Sequence, residues 1–191
     1  MKVLFCGDIV GRAGRDVVIK EIPRLRRELG LDFVVVNGEN AAAGFGITAK
    51  ICAELHEAGV DCITTGNHAW DQREIIPYIS QDKRLLRPIN FPPGTPGWGA
   101  NLFQTARGQK IVVINVMCRL FMDALDVELG KSGLGRGAHF ILVDVHGEAT
   151  SEKQSVGHYC DGRVSAVLGT HSHVPTADSW ILPGGTAYQT D

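Results

Sequence analysis

Residues 32–40 read DFVVVNGEN, in which a continuous run of large apolar side chains stops abruptly at polar ones. An apolar run of this length is typical of a strand that is buried on both faces. The polar residues 37–40 would then lie at the carboxyl end of the strand, where open α/β sheets bind their ligands. This stretch predicts a strand of an α/β protein with functional side chains at its end.

Five similar runs occur elsewhere in the chain, and each ends in polar or glycine residues: 3–6, 62–65, 111–116, 140–145 and 164–168. Helical patterns lie between several of them. Repetition of strand, helix and strand predicts an α/β sheet with helices on its faces.

Three helices are predicted from apolar spacing and capping residues. Residues 15–29 place apolar side chains largely at helical spacing, and Pro23 is expected to kink or interrupt that helix. Two further helices are expected to open after a capping side chain: residues 49–58 after Thr48, and residues 152–160 after Ser151.

The connections between these elements carry their own signals. Residues 90–99 are rich in Pro and Gly and predict a surface loop. Residues 101–116 predict a hairpin that turns at 107–109. The segment GKSGLGRG at 130–137 lacks the spacing of a phosphate-binding loop, so it is interpreted as a flexible connection.

Composition excludes several classes of protein. The chain has 191 residues, 44% of them hydrophobic, and a formal net charge of -2, which favours one soluble domain and disfavours a surface that binds nucleic acid. The first apolar run stops at Asp8, and no run approaches the roughly 20 residues of a membrane span. Five cysteines without a C-x-x-C pair favour reduced thiols and a cytoplasmic location.

Polar side chains with metal-binding capacity collect at the predicted strand ends: Asp8, Glu39, Asn40, Asn67, His68, His146, His171 and His173. Each alone has an ordinary structural interpretation, but their shared position at one edge of a sheet favours a single site. Oxygen and nitrogen donors without sulfur suit Mn, Fe, Zn, Co or Ni. The set is large enough for two ions about 3.5 to 4 Å apart, an arrangement that can clamp an in-line displacement at phosphorus.

Several motifs carry a resemblance to a known family. The segments Gly7-Asp8, Gly66-Asn67-His68 and 169–173 (GTHSH), with a His after an apolar strand, resemble the GD, GNH, H and GHxH blocks of calcineurin-like metallophosphoesterases. Where the superfamily has the His of GDxH, this chain has Val10. Where the superfamily has the Asp of its GDxxD block, this chain has Glu39, followed by Asn40. With GDIVGRAGR, NGENAAAGFGIT, TTGNHAWD and GTHSHVPTAD, the chain resembles the YmdB-like branch of bacterial phosphodiesterases over nearly its whole length.

The resemblance implies a metallophosphoesterase-type β-sandwich flanked by helices, with the site at the carboxyl ends of the strands. It implies two ligand sets that share Glu39: Asp8, Glu39, Asn40 and His173 for metal one, and Glu39, Asn67, His146 and His171 for metal two. Asn40 would supply a neutral oxygen in place of the missing histidine. Iron and manganese are the metals expected from this branch.

The branch also implies a reaction, the hydrolysis of small phosphodiesters and of 2',3'-cyclic nucleotides in particular. A metal-bridging hydroxide would attack phosphorus while His68 protonates the leaving oxygen; the alternative for His68 is that it only orients Asn67. A nucleotide phosphomonoesterase and a regulatory protein with a structural metal site remain the rival interpretations.

The resemblance also bears on the extent of the chain and on its partners. Members of the branch usually continue further, so residues 1–191 are interpreted as a single domain that is shortened after Asp126 and at the C-terminus. A homo-oligomer is possible, and a small nucleotide is favoured over nucleic acid as the partner. The loop at 44–46 is a possible substrate contact, while Arg12 and Arg15 could neutralise phosphate or be solvated.

Overall fold

The structure is a computed structural model that describes residues 1–118 and 123–191. In these residues the strands form two sheets. The first contains β1 (Val3–Cys6), β2 (Phe33–Asn37), β3 (Cys62–Thr64) and β4 (Leu85–Leu86), all parallel and in sequence order. The second contains β5 (Ala100–Gln104), β6 (Lys110–Met117), β7 (Phe140–His146), β8 (Ala166–Thr170), β9 (Trp180–Ile181) and β10 (Ala187–Gln189).

The second sheet has the order β5-β6-β7-β8-β10-β9, with β5 and β9 as antiparallel edges and the strands between them parallel. The helices in the described residues are α1 (Gly11–Leu29), α2 (Ala49–Glu57), α3 (Ile75–Ile79), α4 (Asp123–Lys131) and α5 (Thr150–Cys160). None of these helices is long and apolar enough to cross a membrane.

Strand β2 shows why residues 33–36 are all apolar. Val34 and Val36 pack with α1 and α2 on one side, whereas Phe33 and Val35 pack on the other side against the second sheet. The second sheet in turn packs its other face against α4 and α5. The result is two facing sheets between layers of helices, which confirms the predicted sandwich.

Two of the helix predictions need correction at their starts. Helix α1 begins at Gly11 rather than at residue 15, and it runs through Pro23 without interruption, because buried Val18 and Ile22 anchor it. Helix α5 begins at Thr150 with Ala149 at its N-cap and no side-chain cap, so the predicted cap at Ser151 is wrong. The Thr48 cap is confirmed, since its hydroxyl accepts a hydrogen bond from the Ile51 amide at 3.3 Å.

The last predicted strand is shifted along the chain. Strand β8 covers Ala166–Thr170 instead of 164–168, because the Val164 amide donates to the Cys160 carbonyl and belongs to the turn after α5. The 101–116 hairpin is confirmed, with Gly108 at φ +77° in its turn. The connection expected at 130–137 begins inside α4. All five cysteines are free, three of them buried.

Candidate metal centre

All seven residues proposed as metal ligands lie at one edge of the sandwich. They follow or end strands of both sheets: Asp8 after β1, Glu39 and Asn40 after β2, Asn67 after β3, His146 at the end of β7, and His171 and His173 after β8. A buried hydrogen bond of 3.0 Å from Asn37 Nδ2 to Asp144 Oδ2 joins the two sheets beneath them. The edge between the sheets therefore brings together donors that are far apart in sequence.

Glu39, Asn67, His146 and His171 form what we call the inner group. His146 Nε2 lies 2.6 Å from Glu39 Oε2, 3.1 Å from Asn67 Oδ1 and 3.0 Å from His171 Nδ1. Donor atoms about 2.0 to 2.2 Å from one ion stand roughly 3 Å from each other. The spacing of the inner group matches the ligands of a single metal ion.

The buried carboxylate of Glu39 tests whether a cation fits this position. Glu39 is fully buried, and neither of its carboxylate oxygens has a hydrogen-bond partner in the described part of the chain. An unpaired carboxylate in such a position is costly, and coordination of a metal ion is one of the few ways to offset that cost. The inner group fits a cation.

Hydrogen bonds behind His146 fix which ring nitrogen faces the group. The Thr170 hydroxyl donates to Asp144 Oδ1 at 2.8 Å, so it accepts from His146 Nδ1 at 2.9 Å. In the neutral ring, Nε2 then carries a lone pair directed at Glu39. Such a chain of hydrogen bonds is the usual support of a histidine that binds metal through Nε2.

The pKa values near the inner group reflect the same crowding of charge. Burial lowers the pKa of His146, but the carboxylates of Glu39, Asp144 and Asp8 together outweigh burial and raise the pKa overall. Burial and the neighbouring His146 lower the pKa of His171. Burial raises the pKa of Asp144 to about 6, although hydroxyl groups and His146 oppose the rise. The carboxylates around His146 therefore favour positive charge at this position, which a bound cation would supply.

Gly66 is required by the close approach of the inner group. A Cβ atom at this position would lie 1.6 Å from Glu39 Oε2 and 2.3 Å from His146 Nε2. Any side chain would displace both donors, which explains the glycine before Asn67 in the GNH motif.

Asp8, Asn40 and His173 form the outer group, which is more loosely arranged. Asn40 Nδ2 lies 3.0 Å from His173 Nε2 and 3.5 Å from Asp8 Oδ1, and the His173 and Asp8 atoms are 3.6 Å apart. The Asn40 amide thus lies within reach of both His173 and Asp8, and its oxygen would be the atom that binds a metal ion. Asp8 Oδ2 accepts the His171 amide at 2.8 Å, which links the two groups.

The loop that carries both histidines has strained backbone held by a buried ion pair. His171 and His173 have φ angles of +107° and +56°, which L residues rarely adopt. Ser172 between them donates to Asp191 Oδ2 from its amide at 3.2 Å and from its hydroxyl at 2.8 Å. The same oxygen lies 2.6 Å from Nζ of Lys153, a lysine with no exposed surface.

The supporting residues Asp144, Thr170, Lys153 and Asp191 were not predicted as functional from the sequence. Asp144 and Thr170 stand beside predicted ligands, so the motifs contain them without revealing their role. Lys153 gives a weak signal, because it is a charged residue at a position of α5 that faces the core.

His68 lies at the rim, next to Asn67 in the chain. Its Nδ1 is 2.7 Å from Asp71 Oδ2, and its ring meets the edge of the Phe45 ring with centroids 5.1 Å apart. Gln72 donates to the Phe45 carbonyl at 2.8 Å and ties down the loop at 44–46. Asp71 is a partner that the sequence reasoning missed, although the spacing of three residues in HAWD could have revealed it.

Two facing sheets between helices, with carboxylate, amide and imidazole groups at the strand ends, define a protein of the metallophosphoesterase type. Comparison with known proteins gives the family. The profile of the YmdB-like protein family matches residues 4–191, and the chain belongs to that family.

Individual relatives agree with this assignment. The chain is 47% identical over 196 residues to the 2',3'-cyclic-nucleotide 2'-phosphodiesterase of Bacillus subtilis, covering all of this chain and 74% of that protein. A hypothetical protein from Thermus thermophilus has a similar structure, with a TM-score of 0.90 and 45% identity over all of this chain and 75% of that one. The structure of a novel phosphatase from Mycoplasma pneumoniae is also similar. It has a TM-score of 0.89 and 35% sequence identity, over all of this chain and 71% of that one.

Proposed function

We propose that the protein is a metal-dependent phosphodiesterase that hydrolyses small phosphodiesters, with 2',3'-cyclic nucleotides as its substrates. The observation that carries the proposal is the buried Glu39 carboxylate, which has no hydrogen-bond partner among residues 1–118 and 123–191 and faces nitrogen and oxygen donors. The name of the Bacillus subtilis relative supports the choice of substrate.

In this proposal the inner and outer groups each hold one ion, and Glu39 contributes to both. The donors are oxygen and nitrogen without sulfur, which suits iron or manganese. When bound, such ions supply the positive charge that polarises a phosphoryl group and makes a water molecule more acidic.

His68 is proposed as the general acid. Asp71 Oδ2 accepts a hydrogen bond from His68 Nδ1 at 2.7 Å, which orients the ring and leaves Nε2 to face the leaving oxygen and pass a proton to it. For a 2',3'-cyclic substrate opened at the 2' position, a water oxygen would bond to phosphorus as the P–O2' bond breaks. O2' takes the proton from His68, and the 3'-nucleotide leaves with the water oxygen in its phosphate. A general acid of this kind typically contributes about 10² to 10⁴ in rate.

Nucleotide phosphomonoesterase activity is the second candidate, because the Mycoplasma pneumoniae structure is described as a phosphatase. The phosphate group of a diester carries one negative charge, whereas that of a monoester carries two. A monoesterase must therefore accept a more highly charged substrate than a phosphodiesterase. The charge of the preferred substrate therefore separates the two activities.

The test compares kcat/KM for 2',3'-cyclic AMP, 3',5'-cyclic AMP, 3'-AMP and 5'-AMP at equal metal loading. The proposal expects 2',3'-cyclic AMP to dominate and 3'-AMP to accumulate. A dominant rate on 5'-AMP would identify a nucleotidase instead. Absence of turnover on all four, with metal bound, would favour a regulatory protein with a structural site. Cytoplasmic location and homo-oligomer formation remain predictions.

A further inference from the structure

A cleft beside the inner group has the size and lining to hold the organic part of a nucleotide. It is a cavity of about 540 Å³, within the range of small-molecule sites. Asn67, His146 and His171 of the inner group line it together with Phe91 and Met117. A substrate with its phosphate at the inner group would place its remaining atoms here.

We infer that this cleft, which we call the Phe91 cleft, binds the nucleobase of the substrate against the Phe91 ring and the Met117 side chain. The inference rests on the proposed function and adds the element that recognises the nucleoside. Every base has a flat π face, so an aromatic ring and a polarisable thioether form a favourable surface for it.

The wall of the cleft is held in place before any ligand binds. Asn90 donates to the Met117 carbonyl at 2.8 Å and accepts from the Met117 amide at 3.0 Å. This exchange fixes the chain next to Phe91, whose ring also meets Trp70 edge-on at 5.7 Å between centroids. A wall that does not reorganise loses little entropy on binding.

The mouth of the cleft adds a polar group. The Glu148 side chain lines it with 80% of its surface exposed, and its Oε2 lies 3.4 Å from His171 Nε2. A carboxylate at this position can accept hydrogen bonds from a base amino group or from ribose hydroxyls. It also repels further phosphates, which favours a mononucleotide over a longer polyanion.

Two other surfaces border the centre and compete for the base. A larger cavity of about 780 Å³ lies beside Asp8 and His173; its wall is mainly aliphatic, with Val17 and Leu168, includes Phe5, and contains no residue of the inner group. Phe45 is 58% exposed above His68. The Phe91 cleft is favoured because it combines an aromatic wall, a polar mouth and three donors of the inner group.

The experiment measures binding of 3'-AMP and of inorganic phosphate to the manganese-loaded protein by calorimetry, with metal content determined for each sample. In the wild type, 3'-AMP is expected to bind at least tenfold more tightly than phosphate. Phe91→Ala should weaken 3'-AMP binding by about tenfold and leave phosphate binding unchanged, as expected for the loss of one stacking contact. Met117→Trp, which fills the cleft from β6, should produce the same pattern.

Val17→Trp and Phe45→Ala are the matched variants for the two competing surfaces. The inference is overturned if either of them weakens 3'-AMP binding while Phe91→Ala and Met117→Trp do not. It is also overturned if 3'-AMP binds no more tightly than phosphate to the wild type, or if Phe91→Ala weakens both ligands equally.

The same wild-type preparation is assayed on 2',3'-cyclic AMP, so that failure of the inference and failure of the proposed function are distinguishable. If the wild type hydrolyses 2',3'-cyclic AMP but Phe91→Ala binds 3'-AMP as tightly as the wild type, only the inference about the Phe91 cleft is refuted. Absence of turnover by the metal-loaded wild type refutes the proposed function.

Discussion

The inner and outer groups occupy neighbouring strand ends but are held in different ways. In the inner group, His146 has its second ring nitrogen fixed by Thr170, and its contacts to the other donors are 2.6 to 3.1 Å. In the outer group, the contacts are 3.0 to 3.6 Å, and the His173 side chain is 42% exposed. The inner group, buried between the two sheets, is therefore more tightly arranged than the outer group, whose His173 lies on a loop.

This difference suggests an order of metal binding. Donors that are already in position lose little entropy when an ion binds, whereas the outer group has longer contacts and must still order the half-exposed His173 side chain. We expect the inner position to fill first and to retain its ion longer during chelation.

Glu39→Gln should weaken metal binding at both the inner and the outer group, because it removes the one negative charge that both ions would share. We expect two metal ions per chain in the wild type and fewer than one in the variant, measured by elemental analysis. Glu57→Gln, which changes an exposed carboxylate at the end of α2, is the matched control. A fully loaded wild type with a single ion would contradict the two-metal assignment.

His68→Ala should leave both groups intact and reduce turnover by about 10² to 10⁴, since its ring is assigned to proton transfer and not to ligation. Metal content and kcat on 2',3'-cyclic AMP are measured on the same sample. Asp71→Asn should cause a smaller decrease, because it keeps an acceptor for Nδ1 and removes only the negative charge of that acceptor. Loss of metal with unchanged activity per bound ion would instead make His68 structural.

Thr170→Val should affect the inner group selectively. The substitution preserves shape but removes the hydroxyl between His146 and Asp144, and loss of such a support typically lowers metal affinity about 10- to 100-fold. Competition with a chelator measures the two positions separately. Thr65→Val, which breaks a buried hydrogen bond to the Leu86 carbonyl, is the control. Equal weakening by both variants would show that general stability, not the His146 support, is responsible.

Lys153→Met should affect the outer group and the stability of the loop at 171–173. Removing one partner of a buried ion pair costs about 3 kcal/mol, whereas Lys131→Met, which breaks an exposed pair with Glu128, should cost about 1 kcal/mol or less. Outer-group metal affinity should fall by a few-fold, and inner-group affinity should change less.

The stability difference at Lys153 should depend on pH. Burial would raise the pKa of Asp191, but Lys153 and Ser172 outweigh it and hold that pKa below its usual value. A carboxyl with a lowered pKa stabilises the fold above the usual pKa near 4, and the contribution is lost as the pH falls. Denaturant unfolding of the chelated protein should show a larger difference at pH 7 than at pH 3. A constant difference would exclude the ion pair as its cause.

The long strands could be predicted from the sequence because both of their faces are buried. Residues 33–36 and 140–145 therefore contain no polar interruption, and the structure confirms them. Shorter elements such as β4, β9 and α3 have from two to five residues, which is too few to establish a periodic pattern. Their conformation depends on pairing and packing with distant parts of the chain.

The sequence by itself determined which donors meet, because parallel strands bring their carboxyl ends to one edge and the polar residues follow directly. Only the tertiary structure decided how they meet: which nitrogen of His146 faces Glu39, why residue 66 has no side chain, and how Lys153 and Asp191 hold a strained loop. These features depend on contacts between residues far apart in sequence. The local sequence pattern shows that a side chain is polar, but the packing of the two sheets determines which residue that side chain contacts.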